Sequence, residues 1–212
     1  MTKDKKSETK LYLGCGSNPI KGFINCDIQK LPGVDLVFDC ADLSRFETNS
    51  VSLIFGNSFF EHLYLYQQAP FLRECFRVLN KDGILIFTGI PDFDLIAQLY
   101  LDSKPGLKPF NGVFNLPQVY RLTHGDFEED GKACIPQMHK TLFNKDYLEK
   151  LFNVVDFTSH MIFNYKFPGE QYDISMCVVA YKNPGHKGKN IKAVMRSLSR
   201  FFEEPEDIIN KF

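Results

Sequence analysis

Short apolar runs that end in glycine or a polar residue recur along the first half of the chain, and they constrain the fold most strongly. Four such runs come first, followed by apolar residues at helical spacing from Gln67 and by a fifth run. Brief runs rich in β-branched and aromatic residues are typical of buried strands. The predicted strands are residues 10–14, 23–27, 34–39, 51–55 and 84–88.

The second half returns to regular patterns after a long gap. Asn144 is placed to cap a helix over 144–152, and the runs 154–157 and 175–181 predict the last two strands. Strands that alternate with helices and then close with a pair of strands indicate a mostly parallel sheet. We therefore expect an α/β, Rossmann-like sheet of about seven strands with helices on both faces.

The remaining segments are predicted from composition. Residues 1–9 are polar and lysine-rich, as in a disordered leader. Residues 102–140 are rich in Pro, Gly, Asn and charge, which predicts an irregular insertion after the fifth strand that acts as a lid or contacts the acceptor. A single α/β domain would span 10–182, and 183–212 would form a basic, then acidic, helical tail.

Charge and cysteine usage exclude several classes of function. The net charge is −1 and the pI is near 6.5, so no nucleic-acid partner is expected. No run approaches the roughly 20 apolar residues of a membrane span. The six cysteines form no CxxC pair, so we predict no metal site and a reducing, cytoplasmic location.

The Gly14-Cys15-Gly16 turn at the end of the first predicted strand is a candidate for a cofactor loop. Glycine allows a sharp turn and close approach of a ligand, although any tight turn could use it. The third glycine of a dinucleotide fingerprint is replaced by Pro19, which disfavours a nicotinamide or flavin site. S-adenosylmethionine has no phosphates and needs only close backbone approach.

Carboxylates close the next two predicted strands. Asp27 could accept both hydroxyls of a ribose, and its alternative is a turn or cap residue. Asp39 follows the third strand, and ligands of such sheets collect at the carboxyl ends of strands. Gly16, Asp27 and Asp39 should therefore line one crevice.

These segments resemble the class I methyltransferases, and more narrowly their type-11-like members, over 11–28, 34–63 and 74–93, with a weaker similarity over 139–152. The resemblance implies S-adenosylmethionine as cofactor. Gly14, Cys15 and Gly16 would line its methionine end, Asp27 would bind the ribose, and Ile28 would lie against the adenine. The adenine amino edge would meet Asp39 and the backbone of Cys40, with Asp42 as a competing choice; Asn57 and Ser58 would face the aminoacyl group or the acceptor.

The chain departs from the usual pattern between Gly16 and Asp27. Only about ten residues separate them, and a parallel crossover usually needs a dozen or more. This tight form resembles a methyltransferase subgroup linked with glycan or secondary-metabolite modification. Another segment is expected to cover the methionine end of the cofactor.

Two histidines are candidates for catalysis. The resemblance includes a histidine at His139, which could orient the acceptor or take its proton. His62, beside Glu61, could do the same; alternatively Glu61 stabilises a helix N-terminus and His62 packs beneath a loop.

The predicted function is an S-adenosylmethionine-dependent methyltransferase that acts on a hydroxyl or amine of a small molecule or glycan. One alternative is a catalytically silent cofactor-binding domain that works through a partner protein. The other is a nicotinamide oxidoreductase, which Pro19 disfavours.

Overall fold

The computed structural model describes residues 9–103, 114–125, 128–129, 132–185 and 190–212, with the backbone alone at 128–129 and 132–133. The strands are β1 Thr9–Leu13, β2 Ile24–Asp27, β3 Leu36–Val37, β4 Val51–Asn57, β5 Leu79–Pro91, β6 Glu128–Glu129, β7 Lys132–Ala133, β8 Ser159–Tyr165 and β9 Ser175–Tyr181. The α-helices are α1 Leu65–Val78, α2 Phe93–Asp102, α3 Leu116–His124, α4 Lys145–Val154, α5 Ile191–Ser197 and α6 Pro205–Ile209. Single 3-10 turns lie at Phe60–His62, Ile135–Gln137 and Ser199–Phe201.

Seven strands form one mixed sheet in the order β3-β2-β1-β4-β5-β9-β8, and β6 and β7 form a separate hairpin. Strands β1 to β5 run parallel, while β9 is antiparallel to both β5 and β8. This confirms the expected Rossmann-like fold. The strand order reverses between β1 and β4, and ligands of open α/β sheets bind in the crevice at such a point.

Alternating side chains of the strands supply two cores. On β1, Leu11 and Leu13 face one core and Tyr12 faces the other. The first core is covered by α1 and α4, and the second by the C-terminal segment from α5 to α6. Both faces of the sheet are therefore covered by helices, as an internal α/β sheet requires.

The connection between β1 and β2 has no helix, and the C-terminal segment occupies that face. The Phe201 ring lies 5.0 Å from the ring of Phe55 and 6.0 Å from that of Tyr12. The Arg200 guanidinium donates to the backbone oxygens of Asn18 at 2.7 Å and Pro19 at 3.2 Å. The short β1–β2 loop is thus covered by residues from the far end of the chain.

The predicted strand at 154–157 was wrong. Val154 is the last residue of α4, and the chain then turns through Asp156, which has a φ of +69°, before β8 begins at Ser159. The valines at the helix end mimic a strand because β-branched residues favour extended structure. The third strand is also shorter than predicted, since only Leu36–Val37 pairs with β2.

Residues 102–140 were predicted as irregular throughout, and this was also wrong. Asn115 and Gln118 form a reciprocal capping box at the start of α3, and Leu122 buries its side chain against α2. Only two of the nine helical residues of α3 are buried, so its apolar period is weak in the sequence. Residues 104–113, 126–127 and 130–131 of this insertion lie outside the described residues.

At the N-terminus, the predicted disordered leader (1–9) overlaps β1 by one residue, because Thr9 already pairs with β4. Residues 1–8 lie outside the part of the chain that the structure describes.

In the described part of the chain, none of the helices has the length and apolar character needed to cross a bilayer.

Candidate active site

The glycine loop follows β1 at the carboxyl edge of the sheet. Gly14 has a φ of +64° and Gly16 a φ of +52°, in the left-handed region that only glycine adopts readily. A Cβ on Gly14 would lie 2.8 Å from the Phe59 ring, so packing also excludes a side chain there. A Cβ on Gly16 would meet nothing within 4 Å, which leaves open space against the backbone of the loop.

Asp27 ends β2 beside this loop. One carboxylate oxygen accepts the Gly16 N–H and the other accepts the Gln29 N–H, each at 2.8 Å. Each oxygen keeps a lone pair, so the carboxylate can still accept two ribose hydroxyls. The next residue, Ile28, is 53% exposed and offers an apolar surface beside the carboxylate. An open glycine backbone, a fixed carboxylate and an exposed apolar side chain fit S-adenosylmethionine.

Cys15 and Cys40 lie in the same region with their thiols buried. Burial, together with the nearby Asp27 carboxylate, raises the pKa of the Cys15 thiol to about 11. Burial also raises the pKa of the Cys40 thiol, which accepts a hydrogen bond from the backbone of Gly14. Both thiols stay protonated at neutral pH, so these residues offer a ligand their backbone and not a nucleophile.

Asp39 and Asp42 lie beyond β3 and both are exposed. Asp39 Oδ1 accepts the Ala41 N–H at 3.0 Å, and Asp42 Oδ1 accepts the Ser44 N–H at 2.9 Å. Hydrogen bonds from Ser44 lower the pKa of Asp42. Each carboxylate thus accepts the backbone N–H of the residue two positions further on. Because these hydrogen bonds are equivalent, they favour neither Asp39 nor Asp42 as the contact for the adenine amino edge.

Asn57 and Ser58 lie where β4 ends. The Asn57 side-chain oxygen accepts the Thr88 hydroxyl at 2.8 Å, and the Ser58 N–H donates to the Thr88 carbonyl at 2.8 Å. Ser58 has a φ of +46°, which is strained for a residue with a side chain. A Cβ on Gly89 would lie 2.4 Å from Ser58 Oγ, so glycine is required there. The ends of β4 and β5 therefore hold Ser58 in one orientation.

Ser58 opens onto a cavity of about 460 Å³, a volume within the range of small-molecule sites. Residues of the insertion and of the β8–β9 connection complete its wall, among them Arg121 and Glu170, which form an ion pair. This pair was not predictable from the sequence, because its members are 49 residues apart along the chain. Of the residues predicted to bind the cofactor, Ser58 is the one that lines this cavity.

Glu61, His62 and His139 line the same cavity and bring both predicted catalytic histidines together. The two imidazole rings are 5.0 Å apart, nearly perpendicular. Glu61 Oε1 lies 4.0 Å from Nε2 of His62 and 4.0 Å from Nε2 of His139. Among the described residues, neither carboxylate oxygen of Glu61 has a hydrogen-bond partner, although its side chain is only 1% exposed.

Glu61 was predicted to open a helix, and this was wrong. The residue lies in the 3-10 turn Phe60–His62, ahead of α1, and its carboxylate caps nothing. His62 does pack beneath a loop, with Nδ1 3.1 Å from the Met138 carbonyl. The loop itself is tied down by the Lys140 N–H, which donates to the Glu61 carbonyl at 2.8 Å.

Burial favours the neutral forms of the Glu61, His62 and His139 side chains. It raises the pKa of Glu61 to about 8. It lowers the pKa of His139 to about 4, with a further contribution from His62, and it lowers the pKa of His62 as well. Near pH 7 the two imidazoles are therefore neutral.

The comparisons with known proteins concern the glycine-loop half of the chain and the fold. Residues 11–87 match the family model of the type-11 methyltransferases, described as a methyltransferase domain. Among proteins of curated function, none matches the sequence significantly.

Several solved structures share the fold. A SAM-dependent methyltransferase from Methanosarcina mazei superposes with a TM-score of 0.55 at 15% identity, over 84% of this chain and 94% of that one. A second, from Archaeoglobus fulgidus, has a TM-score of 0.53 at 11% identity, over 82% and 86%. A possible histamine N-methyltransferase from Thermotoga maritima has a TM-score of 0.52 at 14% identity, over 82% of each chain.

The family match covers β1, β2, β4 and most of β5, the strands whose carboxyl ends carry the glycine loop, Asp27 and Ser58. These structures extend the likeness of fold to 82–84% of the chain. Residues 11–87 therefore match a type-11 methyltransferase domain, and the chain as a whole has the fold of solved S-adenosylmethionine-dependent methyltransferases.

Proposed function

We propose that the protein transfers the methyl group of S-adenosylmethionine to a hydroxyl or amine of a small molecule or glycan. The observation that carries this proposal is the cavity of about 460 Å³ beside the cofactor residues, with neutral His62 and His139 in its wall. Its size suits a small molecule or one sugar unit.

The cofactor residues divide the binding task. The backbone of Gly14, Cys15 and Gly16 receives the methionine end, Asp27 accepts the ribose hydroxyls, and Ile28 packs against the adenine. Asp39, the Cys40 backbone and Asn57 complete the edge of the site. The bound S-adenosylmethionine supplies a methyl group activated by a sulfonium, whose S–CH₃ electrons stay on sulfur as the acceptor lone pair forms the new bond.

The acceptor residues orient the nucleophile and exclude water. An amine attacks once it is deprotonated, whereas a hydroxyl also loses its proton during transfer. A neutral imidazole can accept that proton at Nε2, and both His62 and His139 direct Nε2 into the cavity wall beside Glu61. Of the structural neighbours, the Thermotoga maritima protein is named for an amine acceptor, histamine.

The proposal keeps two predictions made from the sequence. Residues 102–140 would cover the acceptor side, which is supported by the Gln29 side chain, whose amide lies 3.9 Å from the Cys134 thiol of the insertion. The cytoplasmic location is supported by the cysteines, all six of which are free.

Calorimetry with S-adenosylmethionine, S-adenosylhomocysteine and NAD tests the cofactor assignment. We expect the first two to bind and NAD to give no heat of binding. A screen of hydroxylated and amino sugars, small phenols and biogenic amines with methyl-labelled cofactor then tests the acceptor class. Cofactor binding without label transfer to any of these compounds would contradict the proposed acceptor class, and binding of NAD alone would contradict the function.

A further inference from the structure

When Glu61 is ionised, the polar atoms of the cluster formed by Glu61, His62 and His139 face one another without a hydrogen donor between them. Nδ1 of His62 lies 3.1 Å from the Met138 carbonyl, and Nδ1 of His139 lies 3.1 Å from the Leu122 carbonyl. A carbonyl oxygen only accepts hydrogen bonds, so each neutral ring must carry its proton on Nδ1. Both Nε2 atoms therefore present lone pairs.

Glu61 adds a third set of lone pairs at the same point. Its carboxylate is 99% buried, and neither oxygen has a hydrogen-bond partner among the described residues. A buried polar group without a partner costs roughly 1–3 kcal/mol, and more if it is charged. The two Nε2 atoms nearest to it cannot donate a proton, so the carboxylate is stabilised either by taking up a proton itself or by a cation between the three residues.

The distances suit one cation. The ligand atoms of the three residues all lie within 4.8 Å of one another, and Glu61 Oε1 is 4.0 Å from each Nε2. Metal–nitrogen and metal–oxygen bonds of about 2.0–2.2 Å place neighbouring ligands about 3–4 Å apart, so a small contraction would close the site. A backbone carbonyl that accepts the other ring N–H is also the usual outer partner of a metal-binding histidine.

We propose that Glu61, His62 and His139 bind a divalent first-row transition-metal cation, which holds an acceptor hydroxyl in the cavity. Two imidazoles and one carboxylate leave coordination positions open, and imidazole suits zinc, iron and related ions. The cavity borders all three residues, so the open positions face the space assigned to the acceptor. This inference rests on the proposed function and departs from the prediction of no metal site, which considered cysteine spacing only.

The cation would change how the acceptor loses its proton. An oxygen bound to a divalent cation is more acidic than a free hydroxyl. The acceptor O–H then releases its proton to solvent, and the resulting oxygen lone pair forms the bond to the methyl carbon. His62 and His139 would hold the cation, and neither would take the proton itself.

The experiment uses the full chain, freed of metal with a chelator, and Co²⁺ as a spectroscopic probe. We expect visible absorption that saturates at one Co²⁺ per chain and a higher Tm with Co²⁺ bound. The variants Glu61→Gln, His62→Ala and His139→Ala should each weaken Co²⁺ binding at least about tenfold, since even loss of an outer-shell partner costs 10–100-fold.

His124→Ala is the matched control, because His124 is an exposed histidine on the neighbouring α3 and should leave Co²⁺ binding unchanged. Glu61→Gln guards against misfolding, because it replaces an unpartnered buried carboxylate with a neutral group of the same shape. No Co²⁺ binding at millimolar concentration, or binding that all three variants leave unchanged, would overturn the metal site.

Titration of the same metal-free samples with S-adenosylhomocysteine separates the two proposals. Cofactor binding and methyl transfer that persist at full rate in chelator overturn the metal site and leave the proposed function standing. Co²⁺ binding by a protein that binds no S-adenosylhomocysteine supports the metal site and contradicts the function.

Discussion

At the scale of single residues, the site combines groups with fixed partners and groups without them. Asp27 is held by two backbone N–H groups, so its carboxylate is oriented before any ligand arrives. Glu61 is buried, and the described part of the chain offers no hydrogen-bond partner to either of its oxygens. The fixed carboxylate of Asp27 favours binding of a ligand of defined shape. The buried carboxylate of Glu61 would be stabilised by a ligand that neutralises its charge.

The Asp27 carboxylate should be a main determinant of cofactor affinity. Asp27→Ala is expected to raise the Kd for S-adenosylhomocysteine by roughly ten- to a hundredfold, because hydrogen bonds to charged groups contribute about 1.5–3 kcal/mol. Calorimetry measures the change, and Asp146→Ala, at an exposed site on α4, should have no effect. An Asp27→Ala protein that is folded and binds with unchanged affinity would refute the ribose assignment.

Replacing His139 should lower the methyl-transfer rate more than it lowers the stability of the fold. His139→Ala is expected to lower the methyl-transfer rate at least about tenfold while the affinity for S-adenosylhomocysteine changes little, because the residue faces the acceptor cavity. His124→Ala serves again as the comparison. Should the His139 variant melt early yet transfer methyl normally per folded molecule, the residue would be part of the scaffold.

At the scale of elements, the insertion between α2 and α4 supplies part of the wall of the cavity proposed to hold the acceptor. It contributes α3 and the 3-10 turn Ile135–Gln137, and its His139 N–H donates to the His124 carbonyl at 2.9 Å. Within the described residues, the Arg121–Glu170 ion pair, the hydrogen bond from the Lys140 N–H to the Glu61 carbonyl and a small third core connect it to the rest of the protein. A cover that buries few apolar side chains favours opening and closing over a ligand site.

Ligand binding should therefore stabilise this cover. Hydrogen exchange in the presence of S-adenosylhomocysteine is expected to slow in residues 114–125 and 134–141 as well as in the glycine loop. Strand β8, at the far edge of the sheet, should exchange at an unchanged rate. Protection confined to residues 14–60 would show that the insertion does not act as a lid.

At the scale of the whole molecule, the two ends of the chain depend on each other. The face of β1 and β4 that bears Tyr12 and Phe55 is covered by the C-terminal segment, whose own residues from Ile191 to Ile209 bury apolar side chains there. A doubly covered sheet normally takes its cover from the crossover helices. Here the crossover after β1 is too short, and the tail replaces it.

Phe201→Ala should consequently destabilise the whole protein. The Phe201 side chain is 7% exposed and contacts both Tyr12 and Phe55, so its removal is expected to cost about 3–5 kcal/mol of unfolding free energy. Urea unfolding measures the loss. Phe93→Ala, at a side chain that is 38% exposed, should change stability by no more than about 0.5 kcal/mol. Equal effects of the two substitutions would show that the tail is dispensable for the fold.

The sequence by itself determined the parts of this protein that depend on neighbouring residues. The order of β1, β2, β4 and β5, the glycine loop and the place of Asp27 at a strand end were all predictable, because strand and turn preferences are local. Parallel strands share one carboxyl edge, so local strand ends were enough to predict a common crevice. Where the local signal was ambiguous, as for the valines at the end of α4 or the short α3, the prediction was wrong.

Only the tertiary structure decided which distant residues meet. Glu61 and His62 reach His139 across more than 70 residues, and Arg200 reaches Asn18 across 182. The hydrophobic periodicity of a sequence does not predict such contacts, because they arise when separate elements pack on the same sheet. The same packing buries the Glu61 carboxylate without a hydrogen-bond partner in the residues that the structure describes. That property, which no sequence pattern contains, is the one from which the metal site is inferred.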